Sequence, residues 1–122
     1  MSTILIIDDE KNLLRLYENE FRLDGYSVIT ANSGSEALQK LKSSAVNLVI
    51  LDIRMPELDG VETLKHIMEL PSKPPIILNS AYTSYKDNFL TWAAAAYVVK
   101  SSDLTELKAK AKELLELQAQ NY

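Results

Sequence analysis

Five short apolar runs divide this chain, and a segment whose apolar residues recur at helical spacing follows each of them. Four of them lie at residues 4–7, 48–51, 76–78 and 97–99, and the second, at residues 26–31, contains Val28 and Ile29 but also two polar residues. Short runs of this kind are typical of parallel strands that are buried on both faces. Parallel strands in one sheet must be joined by crossovers, which helices usually supply. The alternation therefore predicts an α/β fold, a doubly wound (βα)5 sandwich with a five-stranded parallel sheet between two layers of helices.

Local signals mark where several of the helices begin and end. Apolar residues at helical spacing run through residues 11–24, and Gly25 stands where a helix C-cap favours glycine. Ser33 and Glu36 form a capping box, which predicts a helix that begins directly after Ser33. The spacing predicts three further helices, over residues 61–70, 84–95 and about 103–118.

Composition excludes several kinds of chemistry. The 122 residues fit one compact domain that spans residues 1–122. The absence of cysteine rules out disulfides, thiolate metal sites and a cysteine nucleophile, and the single histidine, His66, makes a Ser-His-Asp triad hard to build. A net charge of −4 argues against nucleic acid as a partner, because phosphate binding relies on clustered lysine and arginine.

The N-terminal segment carries no export or membrane signal. The apolar run at residues 4–7 is preceded by no basic region and is followed by three acidic residues. Such a segment is neither a signal peptide nor a membrane span. We therefore expect a soluble, acidic domain in the cytoplasm.

Polar residues follow directly on four of the apolar runs. The first run ends in Asp8-Asp9-Glu10, the third in Asp52, the fourth in Asn79-Ser80 and the fifth in Lys100. In an open α/β sheet, ligands bind outside the carboxyl ends of the strands, where the strand order reverses. We therefore expect three aspartates, a hydroxyl group and a lysine to converge on one edge of the sheet.

This set of side chains suits a cation and a phosphoryl group. Two carboxylates about 4 Å apart repel each other by roughly 4 kcal/mol at an effective dielectric constant near 20, so a cation would stabilise such a cluster. Oxygen ligands without histidine or cysteine favour Mg²⁺ over Zn²⁺. Ser80 and Lys100 would complete a cradle for a phosphoryl group. A carboxylate in that position can itself be the nucleophile and form an aspartyl phosphate.

Four motifs, each at the end of its own predicted strand, resemble those of a known family. They are IIDDE at residues 6–10, LDIRMPELDG at residues 51–60, NSA at residues 79–81 and YVVK at residues 97–100. By these motifs the chain resembles the receiver domains of two-component response regulators and is similar to the single-domain bacterial chemotaxis regulator. The resemblance covers the chain from Ile4 to about Leu117. It implies a flavodoxin-like fold with the strand order 2-1-3-4-5.

The resemblance assigns roles to the acidic residues. It implies that Asp52 is the residue that becomes phosphorylated. Asp9 would bind Mg²⁺ directly, and Asp8 would assist through a water molecule. The backbone carbonyl of Arg54 would be a further protein ligand to Mg²⁺, beside Asp52. A domain of this family is not an enzyme in the usual sense, because it promotes only its own phosphorylation and dephosphorylation.

The resemblance also implies a switch and its partners. Ser80 would donate a hydrogen bond to the phosphoryl group, and Lys100 would pair with that group or with Asp52. Tyr97 would be the switch aromatic that turns inward when Ser80 moves. The expected output surface comprises the fourth helix, the fifth strand and the fifth helix. The expected partners are a sensor histidine kinase or phosphotransfer protein and a downstream protein or output domain, with no direct contact to nucleic acid or membrane.

Two positions depart from the pattern of the family. Ser101 follows Lys100 where the family usually has a proline after a cis peptide bond. Because a cis bond before a non-proline residue costs about 3 kcal/mol, the isomer of this peptide bond and the placement of Lys100 are open. Four alanines occupy residues 93–96. Alanine favours helix, so we expect the predicted fourth helix to run long.

Simpler interpretations of the same residues stay open at this stage. Asp8 and Asp9 could form a solvated turn that caps the next helix. Lys100 could be a surface lysine at the end of a strand, and Tyr97 could be an ordinary core aromatic.

Other functions compete with the phosphoacceptor hypothesis. A phosphatase of the haloacid dehalogenase type needs a second aspartate two residues after the nucleophile, but Arg54 follows Asp52 at that spacing. A nucleotide- or flavin-binding module needs a glycine-rich or hydroxyl-rich loop after the first strand, where this chain is acidic. A scaffold without phosphoacceptor activity is a third alternative, which the departure at Ser101 keeps open.

Overall fold

The structure is a computed structural model that describes residues 2–52, 59–81 and 94–120. These ranges contain five strands and four helices. In chain order they are β1 (Thr3–Ile7), α1 (Lys11–Leu23), β2 (Ser27–Ala31), α2 (Gly34–Ser43), β3 (Leu48–Leu51), α3 (Asp59–Met68), β4 (Ile76–Ser80), β5 (Ala96–Val99) and α4 (Thr105–Gln120).

The five strands form one parallel sheet in the order β2-β1-β3-β4-β5. Both the sheet type and the strand order confirm the prediction. The chain leaves β1 to form β2 on one side and later returns to form β3 on the other side. The carboxyl ends of β1 and β3 therefore flank the point where the strand order reverses, which is where open α/β sheets bind ligands.

Helices cover both faces of the sheet, as the continuously apolar strands predict. Successive residues along a strand point to opposite faces. In β1, Ile4 and Ile6 pack on the α1/α4 side, whereas Leu5 and Ile7 pack on the α2/α3 side. Buried side chains of α1 and α4 complete the first core: Leu14, Tyr17, Phe21, Leu107, Ala111 and Leu115. Those of α2 and α3 complete the second: Ala37, Leu64 and Ile67.

The C-terminus of α1 has the geometry that the glycine signal predicts. Gly25 has a φ of +95°. Its N–H donates to the carbonyl of Arg22 at 3.0 Å, and the N–H of Tyr26 donates to the carbonyl of Phe21 at 3.2 Å. The Phe21 and Tyr26 rings lie 6.2 Å apart between centroids. This pair of hydrogen bonds with its apolar contact is a Schellman motif, and it turns the chain from α1 into β2.

The capping box at the start of α2 is also confirmed. The N–H of Glu36 donates to Oγ of Ser33 at 3.2 Å. The carboxylate of Glu36 in turn accepts the N–H of Asn32 at 2.7 Å, one residue before the N-cap. Both bonds satisfy backbone N–H groups near the start of α2 that lack an intrahelical partner.

The surface of α4 is a solvated face, as its mixed charges suggest. Lys110 pairs with Glu113 at 3.3 Å. Lys108 pairs with Glu20 and Asp24 of the α1 segment at 3.0 Å and 3.4 Å. In the described ranges, no helix is both long enough and apolar enough to cross a membrane.

The structure bears on two expectations about residues 84–96. Most of the predicted helix over residues 84–95 lies outside the described residues. The expectation that the alanines at residues 93–96 extend that helix is wrong for Ala94, Ala95 and Ala96. Ala94 and Ala95 form a bend, and Ala96 begins β5 opposite Ile77. The N–H of Ala95 donates to the carbonyl of Ile76 at 2.8 Å, so pairing with β4 overrides the helix propensity of alanine.

Replacing Gly25 with alanine should lower the free energy of unfolding by about 1 kcal/mol, because a residue with a Cβ atom disfavours a positive φ. No heavy atom lies within 4 Å of a Cβ built at this position, so the cost comes from the backbone and not from a clash. Urea unfolding of the wild type, Gly25→Asn and Gly25→Ala measures this change in the free energy of unfolding. Because asparagine tolerates this backbone region better than alanine does, the free energy of unfolding of Gly25→Asn should lie between those of the wild type and Gly25→Ala. An alanine variant as stable as the wild type would contradict this account.

Candidate functional site

The carboxyl ends of β1, β3 and β5 bring Asp8, Asp52 and Lys100 together. Ile7 of β1 pairs with Leu51 of β3, so the aspartates that follow them leave the sheet side by side. Both aspartates are buried, and Asp52 is only 4% exposed. The N–H of Asp52 donates to the carbonyl of Ile7 at 3.0 Å, which extends the sheet pairing to the aspartate itself. Sheet register therefore determines that two carboxylates share one edge.

Lys100 lies between the two buried carboxylates. Its Nζ is 2.8 Å from Oδ2 of Asp8 and 3.1 Å from Oδ2 of Asp52, and the lysine side chain is 14% exposed. Its backbone N–H donates to the carbonyl of Ser80 at 2.7 Å, so pairing between β4 and β5 positions the residue. The interpretation of Lys100 as a surface lysine is therefore wrong.

Two opposing effects act on the pKa of Lys100. Burial disfavours the charged ammonium and by itself would lower the pKa. The hydrogen bond and negative charge of Asp8, together with the charge and hydrogen bond of Asp52, outweigh burial and raise the pKa above the ordinary lysine value. Lys100 is therefore a cation at neutral pH and partly neutralises the carboxylates.

Asp8 uses its two carboxylate oxygens differently. Oδ2 contacts Lys100, whereas Oδ1 accepts the N–H of Glu10 at 2.9 Å. The second contact is an Asx-type turn that leads into α1. Asp8 is therefore a turn residue through one oxygen, and through the other it contacts Lys100 at the edge of the sheet where the site is predicted. The turn also restricts the rotation of the carboxylate.

Asp9 completes a group of three carboxylates. Unlike Asp8 and Asp52 it is exposed, but the three residues place carboxylate oxygens within 4.8 Å of one another. Among the described residues, one lysine contacts this group, so the cluster keeps an excess of negative charge when the carboxylates are ionised. Hard oxygen donors of this kind fit Mg²⁺, which takes one or two carboxylates and retains several water molecules. The residues present therefore fit the expected cofactor.

Ser80 and Tyr97 lie on the opposite side of the sheet from α1 and α4. Ser80 is fully buried at the end of β4. Tyr97 of β5 pairs with Leu78 and packs against the α2/α3 core to which Leu78 also belongs. Because residues two apart on a strand share a face, Ser80 lies on the face against which Tyr97 packs. The two predicted switch residues are therefore on one side of neighbouring strands.

The departure at Ser101 does not displace Lys100. The described residues contain no cis peptide bond, so the Lys100–Ser101 bond is trans. Lys100 nevertheless reaches both Asp8 and Asp52. Oγ of Ser101 accepts the N–H of Asp103, which shapes the turn before α4. Arg54, whose carbonyl is the other predicted metal ligand, lies outside the described residues.

One polar contact next to the site was not predicted. Nδ2 of Asn79 donates to the hydroxyl oxygen of Tyr17 at 3.1 Å, and both side chains are buried. Burial raises the pKa of Tyr17 above the ordinary tyrosine value, and the nearby charges of Asp8 and Asp52 also raise it, although Asn79 and Lys100 act in the opposite direction. Helical spacing identifies Tyr17 only as a core residue. The signals that could have revealed the contact are the hydroxyl in an otherwise apolar stripe and the amide at the end of a buried strand.

Comparison with protein families gives a match over most of the chain. The family model described as the response regulator receiver domain matches residues 4–112. The matched residues include every predicted site residue.

Curated relatives are longer than this chain. The regulatory protein AtoC of Escherichia coli (strain K12) and the response regulator ArlR of Staphylococcus aureus are each 36% identical to it over 121 residues, which is 98% of the chain. The chain spans 26% of the length of AtoC and 55% of the length of ArlR.

Solved structures have the same fold. The response regulator TrrA of Thermotoga maritima in complex with Mg²⁺-BeF is 44% identical, with a TM-score of 0.88 over 93% of this chain and 99% of the other. TrrA in complex with the histidine kinase ThkA has the same sequence identity and a TM-score of 0.86, over 94% of this chain and 99% of the other. A CheY-like receiver domain protein of Methanospirillum hungatei JF-1 is 28% identical, with a TM-score of 0.91 over 100% of this chain and 99% of the other.

Replacing Lys100 with methionine should lower the free energy of unfolding by about 3 kcal/mol without added metal, because Asp8 and Asp52 then lose the cation that they share. Mg²⁺ should raise the melting temperature of Lys100→Met by more than that of the wild type, since the ammonium and the metal neutralise the same carboxylates. Thermal unfolding in EDTA and in Mg²⁺ measures both effects.

Lys108→Met is the matched control for Lys100→Met. Lys108 also contacts two carboxylates, but these lie at the partly exposed α1–α4 surface. Lys108→Met should lower the free energy of unfolding by less than about 1 kcal/mol. Mg²⁺ should raise its melting temperature as much as that of the wild type. An equal response of Lys100→Met and the wild type to Mg²⁺ would show that the lysine and the metal do not share these carboxylates.

Proposed function

The chain belongs to the response regulator receiver domain family, and we propose on that premise that it is the phosphoacceptor switch of a two-component phosphorelay. Asp52 would accept a phosphoryl group from a histidine kinase or a phosphotransfer protein, with Mg²⁺ as the cofactor. The observation that carries the proposal is the convergence of Asp8, Asp9 and Asp52 on one edge of the sheet, with Lys100 in contact with two of them.

Asp52 is suited to act as the nucleophile. A carboxylate oxygen of Asp52 would attack the phosphorus, and the bond from phosphorus to the imidazole nitrogen of the donor would break as the new bond forms. Strand β3 and the hydrogen bond that the N–H of Asp52 donates to the carbonyl of Ile7 hold the backbone of the nucleophile in place. Correct positioning supplies much of the acceleration in phosphoryl transfer, where the attacking and leaving atoms must be in line.

Lys100 is suited to stabilise the phosphoryl group. Its ammonium lies 3.1 Å from Oδ2 of Asp52, so the charge is present where phosphoryl oxygens would arrive. The small exposure of the side chain makes this interaction stronger than it would be in bulk water. Because Asp8 also contacts the ammonium, the lysine is already oriented before the donor binds.

The acidic residues would hold the metal. Asp8, Asp9 and Asp52 would provide carboxylate ligands, directly or through water, and the carbonyl of Arg54 would add another. The chemistry that bound Mg²⁺ supplies is neutralisation of charge on the phosphoryl oxygens. Asp9 is the exposed member of the group and faces solvent, whereas Asp8 is held by Lys100 and by the N–H of Glu10.

The signal would travel through Ser80 and Tyr97. In this proposal the hydroxyl of Ser80 donates to a phosphoryl oxygen, and Tyr97 moves inward as Ser80 shifts. Support comes from their common side of β4 and β5 and from the half-buried position of Tyr97. The surface that would change includes β5 and α4, together with the predicted helix at residues 84–95.

A protein partner follows from the family. TrrA, which shares 44% of its residues with this chain, forms a complex with a histidine kinase. We extend a kinase partner to this chain, together with a downstream protein or output domain as the receiver of the signal. The domain would act as a switch and not as an enzyme with continuous turnover, and the predicted location is the cytoplasm. A single domain over residues 1–122 belongs to the same proposal.

Incubation with acetyl phosphate and Mg²⁺ should add one phosphoryl group to the wild type and none to Asp52→Asn, because the amide lacks the nucleophilic oxygen. Intact mass spectrometry measures the adduct. Asp24→Asn removes a carboxylate at the other end of α1 and should be phosphorylated like the wild type. An adduct that persists in Asp52→Asn, or that forms equally well in EDTA, would contradict the proposal.

Asp9→Asn should raise the concentration of Mg²⁺ that half-saturates phosphorylation by about tenfold or more, because it removes one unit of negative charge next to a divalent cation. Glu10→Gln is the matched control, since it removes an exposed neighbouring carboxylate that is not in the group of three. A titration of initial phosphorylation rates with Mg²⁺ compares the two variants. Equal effects at both positions would show that general surface charge, and not a ligand role of Asp9, sets the requirement for metal.

A further inference from the structure

Asn79 lies in the same row of the sheet as the proposed phosphoacceptor. Ile7 pairs with Leu51 and Leu51 pairs with Leu78, so the residues that follow them, Asp8, Asp52 and Asn79, continue one row across β1, β3 and β4. Ile6, Ile50 and Ile77 precede them by two positions and belong to the α1/α4 core. Alternation along the strands therefore directs Asn79 to the same side of the sheet as Asp52.

The amide of Asn79 is held by Tyr17. Asn79 is 3% exposed and Tyr17 is 2% exposed. Nδ2 of Asn79 donates to the phenol oxygen at 3.1 Å, across the interface between β4 and α1. A tyrosine phenol is protonated at neutral pH, and burial raises the pKa of Tyr17 further above the ordinary value. The buried amide donor therefore has a neutral acceptor on the helix side.

Asp52 is a competing acceptor for that amide. Neighbouring strands lie about 4.7–4.9 Å apart, so an asparagine and an aspartate in one row are within reach of each other through side-chain rotation. A carboxylate also accepts a stronger hydrogen bond than a neutral hydroxyl group does. The donor that Tyr17 now binds could therefore bind Asp52 if the phenol oxygen were removed.

We propose that Tyr17 is a positioning residue that holds the Asn79 amide on the α1 side and so keeps it from donating to the Asp52 carboxylate. An added hydrogen bond to the attacking carboxylate would stabilise it more than the transition state, in which the oxygen loses negative charge. The hydroxyl of Tyr17 thus sets the rate at which Asp52 accepts a phosphoryl group. This inference rests on the proposed phosphoacceptor function.

The test compares Tyr17→Phe in two backgrounds. In the wild-type background, the change should slow phosphorylation by acetyl phosphate roughly tenfold, the effect expected when one hydrogen bond to a charged group is gained. In the Asn79→Leu background no amide is present, so the same change should alter the rate by less than about twofold. Intact mass spectrometry at a fixed Mg²⁺ concentration, well below the melting temperature, gives the rates.

Tyr26→Phe is the matched control, because Tyr26 is also partly buried beside α1, but its ring lies tilted against that of Phe21, away from the site. It should leave the rate unchanged. Equal slowing by Tyr17→Phe in both backgrounds would assign Tyr17 a structural role, and no slowing in the wild-type background would show that the amide does not reach Asp52. Either result overturns the inference.

A second readout does not depend on phosphorylation. The side-chain amide resonance of Asn79 should shift in Tyr17→Phe, and changing Asp52 to asparagine should shift it further in that variant than in the wild-type background. An Asn79 resonance that responds equally to the Asp52 change in both backgrounds, or in neither, contradicts the inference even if phosphorylation fails. Absence of a phosphoryl adduct on the wild type would instead contradict the proposed function, so the two failures are distinguishable.

Discussion

The concentration of negative charge at one edge of the sheet is the constraint on which the rest of the structure depends. Asp8 and Asp52 are buried side by side because β1 and β3 pair in parallel and both end at this edge. Carboxylates at such separations repel each other unless a cation lies between them. Lys100 neutralises part of this negative charge. The carboxylate oxygens fit Mg²⁺ because the lysine leaves an excess of negative charge on them.

The fold keeps this unfavourable arrangement in place. Apolar cores on both faces of the sheet hold the strands in register, and register determines which side chains meet at their ends. Backbone hydrogen bonds continue past the last strand residues, from Asp52 to Ile7 and from Lys100 to Ser80. The charged groups are therefore placed by the backbone, and the core supplies the free energy that their mutual repulsion costs.

The places where the sequence misled, left a question open or gave no signal have a common physical cause. Alanines at residues 94–96 favour helix locally, but Ala96 lies next to β4 and pairs with it. Ser101 raised doubt about Lys100, yet the lysine reaches both carboxylates through a trans peptide. The bond between Asn79 and Tyr17 joins residues 62 positions apart and has no local signature beyond two polar groups in apolar surroundings. Each outcome depended on a neighbour distant in sequence.

By itself the sequence determined the strands, most of the helices, the helix ends at Gly25 and Ser33, and the residues at the carboxyl ends of the strands. These are local properties, set by apolar spacing and by the backbone preferences of single residues. Only the tertiary structure decided which of those residues touch. Lys100 bridges Asp8 and Asp52, and Asn79 binds Tyr17, because the sheet lays particular strands side by side and packs α1 across them. Such contacts are decided by strand register and helix packing, which local patterns do not encode.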